Sequence, residues 1–275
     1  MEDNELRTLA RRRLQARSHL RSFLLVWAAV SALLLLIWAV AVWSPAAPGA
    51  WPSIPQVVRR GVQEVANGTL PAALGVSLLR DLQGLVIGAT AGIAAGVGIG
   101  LNRTISRMIT PSLHVFKLIS TFAWIPLIMT WFGLGEGSKI AFIALVSFLP
   151  VLFNTLEGVS GVPRELVELG RVQRFTAGQF VFRLALPWAT PSIFTGLSLA
   201  LIATWMGTIG AEYMLTSGGG IGAFLVQARD SFEMDRLIVG VIVVGIVGMI
   251  FQKTGAAVER RLLVWRATLD GENSR

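Results

Sequence analysis

Long apolar runs alternate with short polar islands from one end of the chain to the other. The runs fall at about 23–43, 82–101, 118–134, 140–153, 188–211 and 237–257. The run at 23–43 rises roughly 31 Å at about 1.5 Å per residue, enough to cross a hydrocarbon layer about 30 Å thick. A basic leader before an apolar run also fits a signal peptide, but this run is longer than a signal's apolar core. It is read as a retained first span, with Trp43 and Trp51 at the interface. The pattern predicts an all-α polytopic membrane protein with six transmembrane helices: a basic tail over 1–22, a transmembrane domain over 23–257 and a second tail over 258–275.

Within the runs, glycine and proline carry the pattern. Gly84, Gly88, Gly92, Gly96 and Gly100 recur every four residues in the second span and form a ridge that lets another helix approach closely. A dinucleotide fingerprint is excluded, because no strand precedes the run and no G-x-G-x-x-G occurs. Residues 133–139 lack the Gly-Lys-Ser/Thr of a phosphate loop. Pro126 and Pro150 lie inside the third and fourth spans, where freed backbone groups need partners or a wet cavity. Ser120, Thr121, Trp124, Thr204, Trp205 and Thr208, midway along the third and fifth spans, are candidates for lining a pathway, with ordinary helix packing as the plainer reading of each.

The connections differ in character. Residues 44–81 form the long outer connection, with a short helix from Trp51 to about Val65 and a break at Asn67-Gly68. Residues 102–117 read as a short basic turn, and 215–236 as an outer loop. The polar island at 158–187 predicts two short helices meeting at a corner. Pro163 suits a first helical position, and Val162, Leu166, Leu169 and Val172 mark one apolar face opposite Glu165, Glu168 and Arg171. Thr176 and Gln179 have capping-box spacing, with Phe175 and Phe180 placed as a hydrophobic staple.

Composition narrows the class. Of 275 residues, 53% are hydrophobic and 15% charged, with mean hydropathy +0.65, so a soluble domain is excluded. The net charge of +8 points to membrane flanks rather than nucleic acid. Of the 24 Lys and Arg residues, only Arg59, Arg60, Arg80, Lys139, Arg229 and Arg236 fall on the outer side of an N-in, C-in arrangement, as the positive-inside rule requires. No cysteine is present, and His19 and His114 lack ligand spacing, so no metal site is expected.

Glu168-Leu169-Gly170, Arg174 and Leu184-x-Leu186-Pro187 resemble the "EAA" loop of binding-protein-dependent ABC importer permeases. Leu169 replaces an alanine and Arg174 replaces the loop's glycine. Ile125-Pro126-Leu127, Trp131-Phe132-Gly133-x-Gly135 and Ser138-Lys139-Ile140, with Ala211-Glu212, Gly220-Ile221-Gly222 and Ala228-Arg229-Asp230, are similar to the nitrate/sulfonate/taurine branch. The resemblance covers residues 65–267. It implies a type I ABC importer permease-like fold in the inner (plasma) membrane, with the cytoplasmic coupling-helix loop at 158–187. Glu165, Glu168, Leu169, Gly170, Arg171, Arg174 and Pro187 would then contact the ATPase.

The implied partners are a second copy of the chain, two ATP-binding subunits, an extracytoplasmic solute-binding protein and the lipid bilayer. ATP and Mg would be bound by the ATPase, with no cofactor and no covalent chemistry in this chain. The implied cargo is a small anion such as an aliphatic sulfonate, taurine or nitrate, with a pyrimidine precursor as the alternative. Glu212, at the outer end of a span, repels an anion and is therefore read as a gate or structural contact. The rival class, a secondary transporter, calls for ionisable residues deep in the spans and inverted repeats, and the sequence displays neither.

Overall fold

A computed structural model describes residues 51–215 and 217–262, with side chains to residue 258. The tail at 1–22, the first span at 23–43 and most of the second tail lie outside the described residues. The chain divides into two compact units, residues 1–58 and 59–275. The described part of the first unit opens helix α1, Ile54–Ala66, where the Ser53 N–H donates to the Gln56 side chain at 2.7 Å. Everything that follows concerns the second unit.

Helix α2, Thr69–Leu101, is followed by α3, Arg103–Leu118, then by a 3-10 turn at Thr121–Trp124 and α4, Ile125–Phe132. Helix α5 is Glu136–Ser160. The hairpin helices α6, Arg164–Val172, and α7, Ala177–Phe180, lead through a π-turn at Val181–Ala185 into α8, Leu186–Met214. Helices α9, Ile221–Asp230, and α10, Met234–Leu262, complete the described chain. By length and composition, Thr69–Leu101, Glu136–Ser160, Ala177–Met214 and Met234–Val258 are each able to cross a membrane.

The α2–α5 contact organises the bundle. A Cβ added to Gly84 would lie 2.5 Å from Ile143 Cβ, one on Gly92 2.8 Å from the Phe148 carbonyl, one on Gly96 2.7 Å from Thr155 Cβ, and one on Gly100 2.9 Å from Val159 Cβ. One on Gly88 would fall on the Ala144 carbonyl and the Ser147 hydroxyl. The offset stays constant, so α2 and α5 run parallel and nearly in contact over roughly 24 Å, at about 1.5 Å per residue. Side-chain-free surface here brings backbone against backbone, which is how helices gain dispersion contact when lipid supplies no hydrophobic drive. Helix α8 runs antiparallel to α5 and also touches α2, with Gly158 against Ala189 and Ser192, and Gly196 against Asn154 and the Pro150 carbonyl.

Two parallel neighbours need a return path between them, and α3 with α4 provides it. The pair is bent by 91° at its break and is apolar enough to count as one broken span. The basic turn expected at 102–117 is thus a helix. Asn102 caps it by accepting from the Thr104 and Ile105 N–H groups, and Pro111 sits inside it. Its charges interrupt the apolar pattern without interrupting the helix. Residues 215–236, expected as an irregular outer loop, contain α9. There Arg60 bridges Glu64 (3.1 Å) and Glu233 (2.9 Å), and Arg236 reaches the same two carboxylates. Desolvation pushes Glu233 up, but hydrogen bonds from Arg236 and the charge of Arg60 hold its carboxyl below the ordinary value.

Candidate functional site

The two ends of this bundle are built from opposite materials. At one end sits the hairpin. Helix α6 ends in two backbone bonds, Phe175 N–H to the Gly170 carbonyl (2.9 Å) and Arg174 N–H to the Arg171 carbonyl (3.0 Å). That pairing is a Schellman motif, which places Arg174 at the position where glycine is usual, and its φ is 53°. Thr176 and Gln179 then form the reciprocal capping box of α7. Phe175, Phe180 and Leu184 close over Gly170, the buried residue of α6.

The inward face of α6 is therefore Leu166, Val167 and Gly170, not the face expected from periodicity. Leu169 (49% exposed) and Val172 (81% exposed) point outward beside the exposed Glu165 and Glu168. The reason is local: only glycine lets the two phenyl rings approach the helix, so Gly170 sets which side faces in. Pro163 caps α6 rather than occupying its first turn. Pro187, at the end of the island, lies in the first turn of α8. The π-turn ahead of it, with Leu186 N–H bonded to the Val181 carbonyl, absorbs the proline within one helical run.

At the opposite end lies a buried charge cluster that the sequence reading did not assemble. Arg80, on α2, is 2% exposed and grips Glu136 with Nε (2.7 Å) and Nη2 (2.8 Å). Its Nη1 donates to Glu212, which is fully buried on α8. Ser77 Oγ lies 2.8 Å from both Glu212 oxygens and accepts from the Ile221 N–H (2.8 Å), and the Gly222 N–H donates to Glu212 Oε2 (2.8 Å). Lys139, fully buried on α5, donates to the Ser217 carbonyl and lies beside Glu136. Arg80 Nη2 also reaches the Gly219 carbonyl at 3.2 Å.

The stretch Ser217–Gly222 is thus tied to three helices at once. Gly220 has φ 132°, and a Cβ there, or on Gly222, would strike the Glu212 side chain. Two cations and two carboxylates balance, which is the condition for keeping charge inside a bundle. Alongside them Thr208 donates to Asp81 at 2.9 Å.

Arg80 and Asp81, assigned to the outer connection by their polarity, belong to α2, and Lys139 belongs to the first turn of α5. A polar residue ends an apolar run on a hydropathy plot, yet a helix continues through it when a partner removes the cost of burial. Buried ionisable residues are therefore present, at one end of the helices rather than midway along them. The available signal was compensating charge at the same ends of three spans, together with glycines beside Glu212. Ser120 is exposed, and Thr121 and Trp124 are half-buried, all at the bend between α3 and α4. Thr204, Trp205 and Thr208 are buried within the single chain. Trp205 Nε1 donates to the Val244 carbonyl (3.1 Å), and its ring meets Phe251 edge-on at 5.5 Å. Between these two groups, Phe122 packs on Gly210, and Trp124 packs against the core cluster that includes Ala211.

A helical bundle with several helices able to cross a membrane, and a self-capped hairpin between two of them, defines the class: a polytopic membrane protein. Residues 85–264 match the family of binding-protein-dependent transport system inner membrane components, and the chain belongs to that family. It is 33% identical over 207 residues to permease protein SsuC of Bacillus subtilis (strain 168), named for aliphatic sulfonates transport, covering 75% of each chain. It is 30% identical to the taurine transport system permease protein TauC of Escherichia coli (strain K12), covering 86% of this chain and 87% of that one. It is 33% identical to the bicarbonate transport system permease protein CmpB of Synechococcus elongatus (strain ATCC 33912 / PCC 7942 / FACHB-805), covering 68% and 67%. Among solved structures, an inward-facing form of the MetNI methionine ABC transporter superposes with TM-score 0.55 at 19% identity, covering 76% of this chain and 99% of that one, a likeness of fold. The protein is an ABC importer permease of the nitrate/sulfonate/taurine branch, in the inner membrane.

Proposed function

We propose that this permease imports a small oxyanion, an aliphatic sulfonate or taurine first, with nitrate or bicarbonate as the same chemistry. The solute would arrive from an extracytoplasmic binding protein and cross between two copies of the chain, each with six spans and both termini in the cytoplasm. Two ATPase subunits would bind ATP and Mg and seat the α6–α7 hairpin in a groove.

The observation that carries this reading is the contrast between a hairpin braced from inside by Gly170, Phe175 and Phe180 and the solvent-facing Glu165, Glu168, Leu169 and Val172 on its outer side. A rigid element that offers carboxylates and bare aliphatic groups is made for a protein groove. Glu165 and Glu168 do not share a cleft in which to act as an acid–base pair, since only Glu168 lines the cavity beside the hairpin. For the pathway, the bend at Ser120, Thr121 and Trp124 is favoured over Thr204, Trp205 and Thr208, whose hydrogen bonds and contacts are satisfied within one chain. The secondary-transporter reading loses its remaining support in the cluster itself. Arg80, Glu136, Lys139 and Glu212 form closed pairs, whereas a proton or sodium relay needs groups left free to change partners.

The test is reconstitution of the chain with its ATPase and binding protein in proteoliposomes, followed by uptake of labelled taurine, butanesulfonate, nitrate and bicarbonate. ATP-dependent uptake of one of these, lost when the binding protein is omitted, is the expected result. Uptake driven by an ion gradient without the ATPase would overturn it.

A further inference from the structure

Beside the hairpin, a cavity of about 780 Å³ opens among four arginines, Arg103 and Arg107 of α3 and Arg164 and Arg171 of α6. One carboxylate, Glu168, shares its wall. Among the described residues none of the four guanidinium groups has an ion-pair partner. Arg103 also opens a helix whose first turn carries no acid, where the helix dipole disfavours positive charge. The buried cations Arg80 and Lys139, by contrast, are paired with carboxylates of the chain itself, so four converging, unpaired guanidinium groups are suited to an anion from outside.

Position says which anion. The cavity is lined by Gly100 and Leu101, the last residues of α2, and by Val159 and Ser160, the last of α5. These are the ends of two helices long and apolar enough to cross a membrane, and basic residues at such ends suit the level of the lipid headgroups. Next to the arginines on α3, Ile105, Met108 and Ile109 stand exposed, giving a helix with basic and apolar surface together, as at membrane interfaces. Basic pockets between spanning helices suit anionic headgroups, and a guanidinium meets phosphate oxygens in a forked geometry.

We infer that the cavity between the start of α3 and helix α6 is a binding site for the phosphate of an anionic phospholipid, bridging the hairpin to the membrane helices. The inference rests on the cavity, its charge and the helix ends, and stands whether or not the hairpin meets an ATPase in the manner proposed above.

The test uses the purified complex of full-length permease and ATPase in detergent, exposed to an equimolar mixture of phosphatidylglycerol and phosphatidylcholine and read by native mass spectrometry. Wild type is expected to retain phosphatidylglycerol in preference. The Arg103→Gln/Arg107→Gln variant should retain it roughly tenfold less. Arg229→Gln, an exposed arginine on α9 outside this cavity, should retain it as wild type does. Arg103 and Arg107 are exposed, so packing is preserved, an unchanged melting temperature is the check, and Arg107→Gln alone is the milder second variant.

Equal retention by all variants overturns the site. Displacement of the lipid by millimolar inorganic phosphate, with phosphate bound as tightly, overturns the lipid and assigns a free phosphate. Loss of the ATPase with lipid retention unchanged overturns it in favour of a protein-docking surface.

Discussion

The charge cluster around Arg80 and the hairpin around Gly170 use the same kinds of residue for opposite ends. At the cluster, every carboxylate has a donor within the chain: Ser77, Arg80 and the Gly222 N–H for Glu212, and Arg80 for Glu136. At the hairpin, Glu165 and Glu168 are exposed and the internal bonds are spent on shape, on the Schellman turn and the capping box. One end closes on itself and the other leaves its charges for something else. Stability is concentrated where the chain supplies its own partners. Specificity is concentrated where it does not.

The sharpest way to break this contrast is at Arg80. Glu212→Ala leaves Arg80 buried with one partner missing, and removing one member of a buried pair costs about 3–5 kcal/mol. Thermal unfolding of the purified chain in detergent is expected to show that loss, and Arg80→Ala a similar one. The double variant Arg80→Met/Glu212→Leu should recover much of it, because apolar groups of like volume replace a buried pair at little cost. Equal stability of Glu212→Ala and wild type would mean the cluster is no more constrained than a surface pair.

The hairpin should respond in the other way. Glu168→Lys reverses an exposed charge, so the melting temperature is expected to stay unchanged. Coupling to the ATPase should fall, since disrupting a charged contact buried by docking costs on the order of 2–5 kcal/mol. Substrate-stimulated ATP hydrolysis in the reconstituted complex reads this directly. Normal stimulation in the variant removes Glu168 from the docking surface.

The glycine ridge of α2 was legible in the sequence, because glycine at every fourth position has few other meanings in an apolar run, whereas its partner helix was not. The structure adds which glycines matter. Gly88 meets backbone, whereas a Cβ on Gly98 meets nothing within 4 Å. Gly88→Val is therefore expected to destabilise by about 1–3 kcal/mol through overpacking, while Gly98→Ala gains slightly from helix propensity. Unfolding of the two variants side by side decides it, and equal effects would dissolve the ridge. The capping box was equally legible, being a local signal. The inward face of α6 was not, since Gly170 reads as a gap in an apolar stripe until Phe175 and Phe180 are seen above it. The Arg80–Glu212 pair was invisible for a related reason. Partners 132 positions apart leave no periodic trace, and charge in the sequence reads as an exit from the membrane.

Arg174 joins both halves of the contrast, because it carries strain in the hairpin's frame and charge on its surface. Its φ of 53° is one an L-residue adopts at roughly 1 kcal/mol relative to glycine. The two Schellman bonds and the capping box hold the corner without any help from the guanidinium. Arg174→Gly should thus leave the fold intact and stabilise it by about 1 kcal/mol. If the arginine is kept for a carboxylate of the docked ATPase, the same change weakens assembly. The loss should be larger at low salt and fade once the Debye length falls below about 10 Å, near 0.1 M. Copurification of the ATPase with wild-type and variant permease across a salt series measures this. A variant that melts higher and holds its ATPase equally at every salt concentration leaves Arg174 with no docking role.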